Sequence, residues 1–174
     1  NEWLGANSCP TNGQPGLKPV ADDQLLKITP EGKFILQIGK SNQSKGNDDT
    51  RNLHRPADVW VHQPTNELFV ADGYGNHRIA VFDADSGAFK RMWGAFGNKP
   101  DDTAANKLAD EGPGPQQFNL VHGVRVSNDG LVYIADRMNN RMQVFTIDCK
   151  FLREIFIERK TKLLGTSFSV AFSP

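Results

Sequence analysis

The sequence predicts an all-β fold built as a β-propeller, and three observations carry that expectation. The stretch Leu68–Phe82, LFVADGYGNHRIAVF, returns as LVYIADRMNNRMQVF at Leu131–Phe145. Each copy reads as strand, tight polar turn, strand, with Ala-Asp before the turn and Arg after it (Ala71-Asp72 and Arg78; Ala135-Asp136 and Arg141). Each copy is also flanked by a further β-rich run on either side: 58–61 and 88–94 around the first, 123–126 and 150–156 around the second. Four short antiparallel strands per repeat make one propeller blade, and a blade cannot bury both faces without neighbours.

Taken in order, residues 1–6 align with the second strand of a blade, Trp3 matching Phe69 and Tyr133. A Pro/Gly/Asn-rich loop, 7–23, follows. Runs 24–28 and 34–39, joined by the turn Pro30-Glu31-Gly32, supply the third and fourth strands. The first blade (1–39) therefore lacks its first strand. The second blade occupies 53–94 after a polar loop. Residues 95–117 form a long insertion bearing Asp101, Asp102, Asp110 and Glu111. These acids make calcium a conceivable ligand without any ordered oxygen-ligand spacing, and a solvated loop is the simpler reading. The third blade runs over 118–158, and 167–173, SFSVAFS, reads as the first strand of a fourth. Three blades leave sheet faces uncovered, so the remaining blades are expected from a longer chain or from a second copy.

The totals exclude several functions. Twenty Lys and Arg balance twenty Asp and Glu among 174 residues. A nucleic-acid-binding face would need clustered basic residues. No apolar run reaches membrane-spanning length. Cys9 and Cys149 fit no metal spacing, and either pair in an oxidising compartment or remain free thiols.

The stretches Pro56–Val61, Asp72–Arg78 (DGYGNHR), Val121–Val124 and Ala135–Arg141 (ADRMNNR) resemble the NHL-repeat propellers. Within that group the chain is most similar to the peptidyl-α-hydroxyglycine α-amidating lyases, with the look of a bacterial-type relative. The turn of the second blade is one residue longer than that of the third, an inequality those lyases share. The resemblance spans roughly Leu25 to Pro174 and implies a six-bladed ring, a secreted or periplasmic location, and a zinc enzyme. Such an enzyme splits a C-terminal hydroxyglycine, a small peptide-like substrate, into a peptide amide and glyoxylate.

By the same resemblance His122 falls on a zinc-ligand position at the start of an innermost strand, where ligands come from alternate blades. Ala57 and Phe168 hold that position in the neighbouring blades. Tyr74 matches the catalytic tyrosine and Arg137 an arginine close to it. A tyrosine acting as base must first give up its own proton, and a nearby guanidinium favours that. Animal members carry cysteine pairs around these turns; here the positions are His54, Gly75, Tyr133 and Val144.

Read from the residues alone, His122 is either a metal ligand or a satisfied rim histidine, and Tyr74 and Arg137 either site or packing residues. The paired Asp72/Arg78 and Asp136/Arg141 point to structure, as a cross-strand pair or a turn cap. His54, His62 and His77 read as surface residues. The alternative to a lyase is a non-catalytic propeller that binds protein or glycan.

Overall fold

The computed structural model describes residues 2–5 (backbone only), 23–101, 103 and 108–173. Three antiparallel sheets succeed one another along the chain. Blade A contains β1 (Glu2–Gly5), β2 (Leu25–Ile28) and β3 (Phe34–Ile38) in the order β1-β2-β3. Blade B is the meander β4 (Asp58–His62), β5 (Glu67–Asp72), β6 (Arg78–Asp83) and β7 (Phe89–Trp93). Blade C repeats it as β8 (Val121–Val126), β9 (Leu131–Asp136), β10 (Arg141–Thr146) and β11 (Phe151–Phe156). Sequential meanders packed face to face form part of a propeller.

Blade B shows why its strands read as unbroken apolar runs. Along β5, Leu68 and Val70 face blade A, joining Leu25, Ile38, Leu53 and Phe82. Phe69 and Ala71 face blade C, joining Trp93, Phe118, Val124, Ile134 and Phe145. Alternation across a pleat covered on both faces removes the polar-out signature. Trp93 and Phe145 meet edge to face at 5.9 Å, and Phe145 meets Phe118 at 6.4 Å and Phe151 at 5.7 Å. Towards the axis, the Asp58 carboxylate of β4 accepts the Val124 N–H at 3.1 Å and pairs with Arg125, which binds β4 to β8.

The repeated Asp and Arg latch each blade to the loop that precedes it. Register sets Asp72 opposite Arg78 and Asp136 opposite Arg141, all four side chains being buried. In blade B, Arg78 Nε donates to Asp72 at 2.9 Å, while its other nitrogens donate to the carbonyls of Asp49 and Asn52. Asp72 in turn accepts the His54 N–H at 2.8 Å and the Asn76 side-chain amide at 2.7 Å. Blade C reproduces this. Arg141 donates to Asp136 at 2.7 Å and to the carbonyls of Pro115 and Gln117, and Asp136 accepts from Asn119 N–H and Asn139. Both structural options, cross-strand pair and turn cap, operate together. Buried carboxylate and guanidinium are tolerable because nearly every lone pair and proton finds a partner.

Residues 167–173, expected as the first strand of a fourth blade, form no ladder here. A strand exists through its ladder, and an innermost strand has its own blade's second strand as ladder partner; among the described residues none lies beside this segment. It lies against blade C instead: the Phe168 carbonyl accepts from the His122 side chain, and Phe172 packs on Tyr133 at 5.1 Å. Of the calcium candidates, Asp101 accepts the backbone and hydroxyl of Thr103, Asp110 and Glu111 are exposed, and Asp102 lies outside the described residues. Cys149 is a half-buried free thiol, pushed up in pKa by burial; Cys9 and most of the 7–23 loop lie outside the described residues.

Candidate active site

The turns that join the second and third strands of blades B and C stand at one rim, and corresponding backbone bonds hold them. Tyr74 N–H donates to the carbonyl of Arg55 at 3.3 Å, and Arg137 N–H to that of Leu120 at 3.3 Å. One step on, Gly75 donates to His54 and Met138 to Asn119. Tyr74 and Arg137 are thus sister positions of the repeat, in neighbouring blades. The blade B loop fits because Gly73 has no Cβ; one built there would run into the Val121 backbone of β8. That close approach carries Tyr74 to the start of blade C's innermost strand.

His122 stands at that start. Val121 pairs with Asp136 and Gly123 with Ala135, so His122 is the extra residue of a β-bulge. Bulges re-aim a side chain, here out of the regular pleat. The Tyr74 hydroxyl lies 3.1 Å from His122 Nε2, with the rings edge to face at 5.7 Å. Arg137 Nη1 reaches the same hydroxyl at 3.5 Å, while its Nε donates to the Leu164 carbonyl at 2.7 Å. The three residues singled out in the sequence therefore share one cluster. Tyr74 is 37% exposed in this chain.

Hydrogen bonding assigns the imidazole's tautomer. His122 Nδ1 lies 2.8 Å from the Phe168 carbonyl, which only accepts, so Nδ1 carries the proton. Nε2 then presents its lone pair to the Tyr74 hydroxyl. An imidazole anchored at one nitrogen by a carbonyl, with the other turned towards the cluster, is also how a metal-ligating histidine is arranged. The donor fits zinc. Among the described residues no cluster of three or more His, Cys, Asp or Glu surrounds it, so this segment would supply one imidazole.

Of the remaining histidines, His62 pairs with Thr65 at 2.8 Å at the far end of β4, and His54 and His77 are half-buried, the His54 ring lying against Gly75 beside Tyr74. The positions where the animal lyases are expected to hold cysteine are indeed neighbours. Gly75 N–H donates to the His54 carbonyl at 2.9 Å, and Tyr133 faces Val144 across β9 and β10. Two groups escaped sequence reading, the carbonyls of Leu164 and Phe168. Backbone acceptors have no residue-type signature.

Comparison with known proteins agrees with the repeat architecture. The NHL repeat family model matches residues 53–82 and 118–145. The chain is 34% identical over 152 residues to the mouse protein named peptidyl-glycine alpha-amidating monooxygenase, covering 85% of this chain and 14% of the relative. It is 28% identical over 137 residues to a probable peptidyl-alpha-hydroxyglycine alpha-amidating lyase of Caenorhabditis elegans, covering 78% of this chain and 34% of the relative. Mouse NHL repeat-containing protein 3 is 33% identical over 126 residues, covering 71% of this chain and 31% of the relative. The chain spans well under half the length of each of these relatives.

Proposed function

We propose, from the premise that this chain is an NHL-repeat β-propeller related to the peptidylglycine amidating lyases, that it carries part of the active site of a C–N lyase acting on peptides ending in α-hydroxyglycine. The observation that supports this most directly is the Tyr74 hydroxyl lying between His122 Nε2 and the Arg137 guanidinium. Tyr74 is the base. Its oxygen, once deprotonated, takes the proton of the substrate hydroxyl; the oxygen left behind forms a carbonyl as the C–N bond breaks. The bond's electron pair goes to nitrogen, which gains a proton and leaves as the peptide amide, with glyoxylate as the second product. Arg137 favours the negative oxygen on Tyr74 by charge and by an N–H donor. Its own position is held by the Leu164 carbonyl.

His122 contributes one imidazole to a zinc ion, with further ligands from other blades. When bound, zinc supplies a Lewis acid that makes the substrate hydroxyl easier to deprotonate. A zinc ion there would be held by the same Nε2 lone pair that now faces the Tyr74 hydroxyl, which would leave that hydroxyl free to meet the substrate. A secreted or periplasmic compartment belongs to this reading; among the described residues no helix is long and apolar enough to cross a membrane.

The test is glyoxylate release from an N-acylated α-hydroxyglycine by the purified protein with zinc. Tyr74→Phe is expected to lower kcat at least 100-fold, the usual scale for losing a general base, while leaving stability within about 0.5 kcal/mol because the side chain is partly exposed. An unchanged kcat ends the proposal.

A second reading, a propeller that binds ligands without chemistry, draws on the same hydrogen bonds. With Phe168 on one nitrogen and Tyr74 on the other, His122 is satisfied with no metal at all. Zinc binding at about one per ring together with glyoxylate release excludes that reading; glycan or protein binding with neither supports it.

A further inference from the structure

We infer that Phe168, a residue with no reactive group, is a positioning residue that orients both His122 and Arg137; the inference rests on the lyase reading for its effect on turnover but on geometry for its existence. Three contacts converge on this one side chain and its carbonyl. The carbonyl accepts from His122 Nδ1 at 2.8 Å, which selects the imidazole nitrogen presented to Tyr74. The Phe168 ring packs on the imidazole edge to face, with centroids 5.4 Å apart. The Arg137 guanidinium lies over the same phenyl ring, 4.2 Å from its centroid. A cation over an aromatic face is attracted to it and loses freedom to swing into solvent.

The surrounding chain is built to deliver Phe168 to that place. Gly123 has no side chain where the Phe168 carbonyl and Ser169 Cα pass; a Cβ there would sit 3.1 Å from each. Thr166 N–H donates to the Arg137 carbonyl at 3.3 Å, and the Leu164 carbonyl takes Arg137 Nε. Residues 164–168 therefore wrap Arg137 from backbone to guanidinium before reaching His122. Blade B holds Ala57 at the position equivalent to Phe168, where the same brace has no ring.

Truncation to Phe168→Ala keeps the carbonyl and removes the ring, so its effect on chemistry must pass through Arg137 and the imidazole edge. Expected is a fall in kcat of about 3- to 30-fold, the range for losing a partly desolvated cation–π contact, with KM changed less than 2-fold. Phe168→Tyr and Phe168→Trp are expected to restore most of kcat. In an Arg137→Ala background, Phe168→Ala should lower kcat by clearly less than it does alone, since only the imidazole contact is then left to lose. A wild-type kcat in the single variant, an effect confined to KM, or an equal drop in the Arg137→Ala background overturns the inference.

NMR of the zinc-free protein separates this outcome from failure of the lyase reading. His122 should show the Nδ1–H tautomer, and the Arg137 side-chain protons should be shifted upfield by the ring, a shift lost in Phe168→Ala. If no glyoxylate is released yet both signatures appear, the lyase reading fails and the placement of Phe168 stands. If either signature is missing, the inference fails whatever the activity.

Discussion

Replacing Arg141 with Met tests whether the recurrent Asp–Arg latch carries the stability of blade C. Arg141 is fully buried and donates to Asp136 at 2.7 Å, to Glu154 at 3.0 Å, and to the carbonyls of Pro115 and Gln117 at 2.7 and 3.1 Å. Met fills much of the volume but strands a buried carboxylate and two loop carbonyls. Removing one partner of a buried ion pair costs about 3–5 kcal/mol, which for a chain of this size lowers Tm by about 6–20 °C. Urea unfolding followed by tryptophan fluorescence measures it, with Trp93 packed in the adjoining core.

The loss should depend on pH in a definite direction. Burial pushes the Asp136 carboxyl up, and Arg141 heads the groups that pull it back. Without Arg141, its folded pKa rises well above the unfolded value of about 3.9. A raised folded pKa gives stability that is present below the unfolded pKa and lost as pH rises through the folded one. The variant should therefore approach wild type near pH 4 and fall furthest behind at neutral pH. Asp136→Leu combined with Arg141→Met should cost clearly less than the two single changes added together. A loss below about 1 kcal/mol, or simple additivity, would refute the latch.

Glu67 offers the opposite pH dependence. Paired bidentately with Arg91 at 2.6 and 2.8 Å and with Lys90 at 2.7 Å, its carboxyl is held down to about 2. Its contribution is present above the unfolded pKa and is lost as pH falls from about 4 towards 2, a step of about 1 kcal/mol that Glu67→Gln should abolish in acid unfolding curves. Gly73→Ala forces a Cβ into the Val121 backbone. It should part Tyr74 from His122 and reduce glyoxylate release at least 10-fold, on the scale of a small misplacement of reacting groups, and a crystal structure with that distance unchanged counts against it. Phe145→Ala, at the meeting of Trp93, Phe118 and Phe151, is expected to cost about 3–5 kcal/mol in denaturant titration.

Much of this was legible in one dimension because a repeat states its own register. Leu68–Phe82 and Leu131–Phe145 align without reference to any fold, and the strands β5, β6, β9 and β10 lie where that alignment puts them. Tyr74, Arg137 and His122 were singled out through resemblance, and the structure brings them together; the bulge that turns His122 out left no mark in the sequence. Residues 167–173, read as the innermost strand of a fourth blade, could form a ladder only with the next strand of their own blade, which is not among the described residues.

The amino-acid sequence by itself determined the unit: four strands, an Asp and an Arg at fixed offsets, and one residue more in the turn of blade B than in that of blade C. These are local properties, set by pleat, turn chemistry and side-chain type. Only the tertiary structure decided that Tyr74 and Arg137, equivalent positions 63 residues apart, meet above one imidazole. Only it decided that the Phe168 carbonyl selects the imidazole's free nitrogen. The physical reason is that such contacts depend on how one blade is rotated and pressed against the next, and that is fixed by close packing of both sheet faces and by backbone groups that every residue shares.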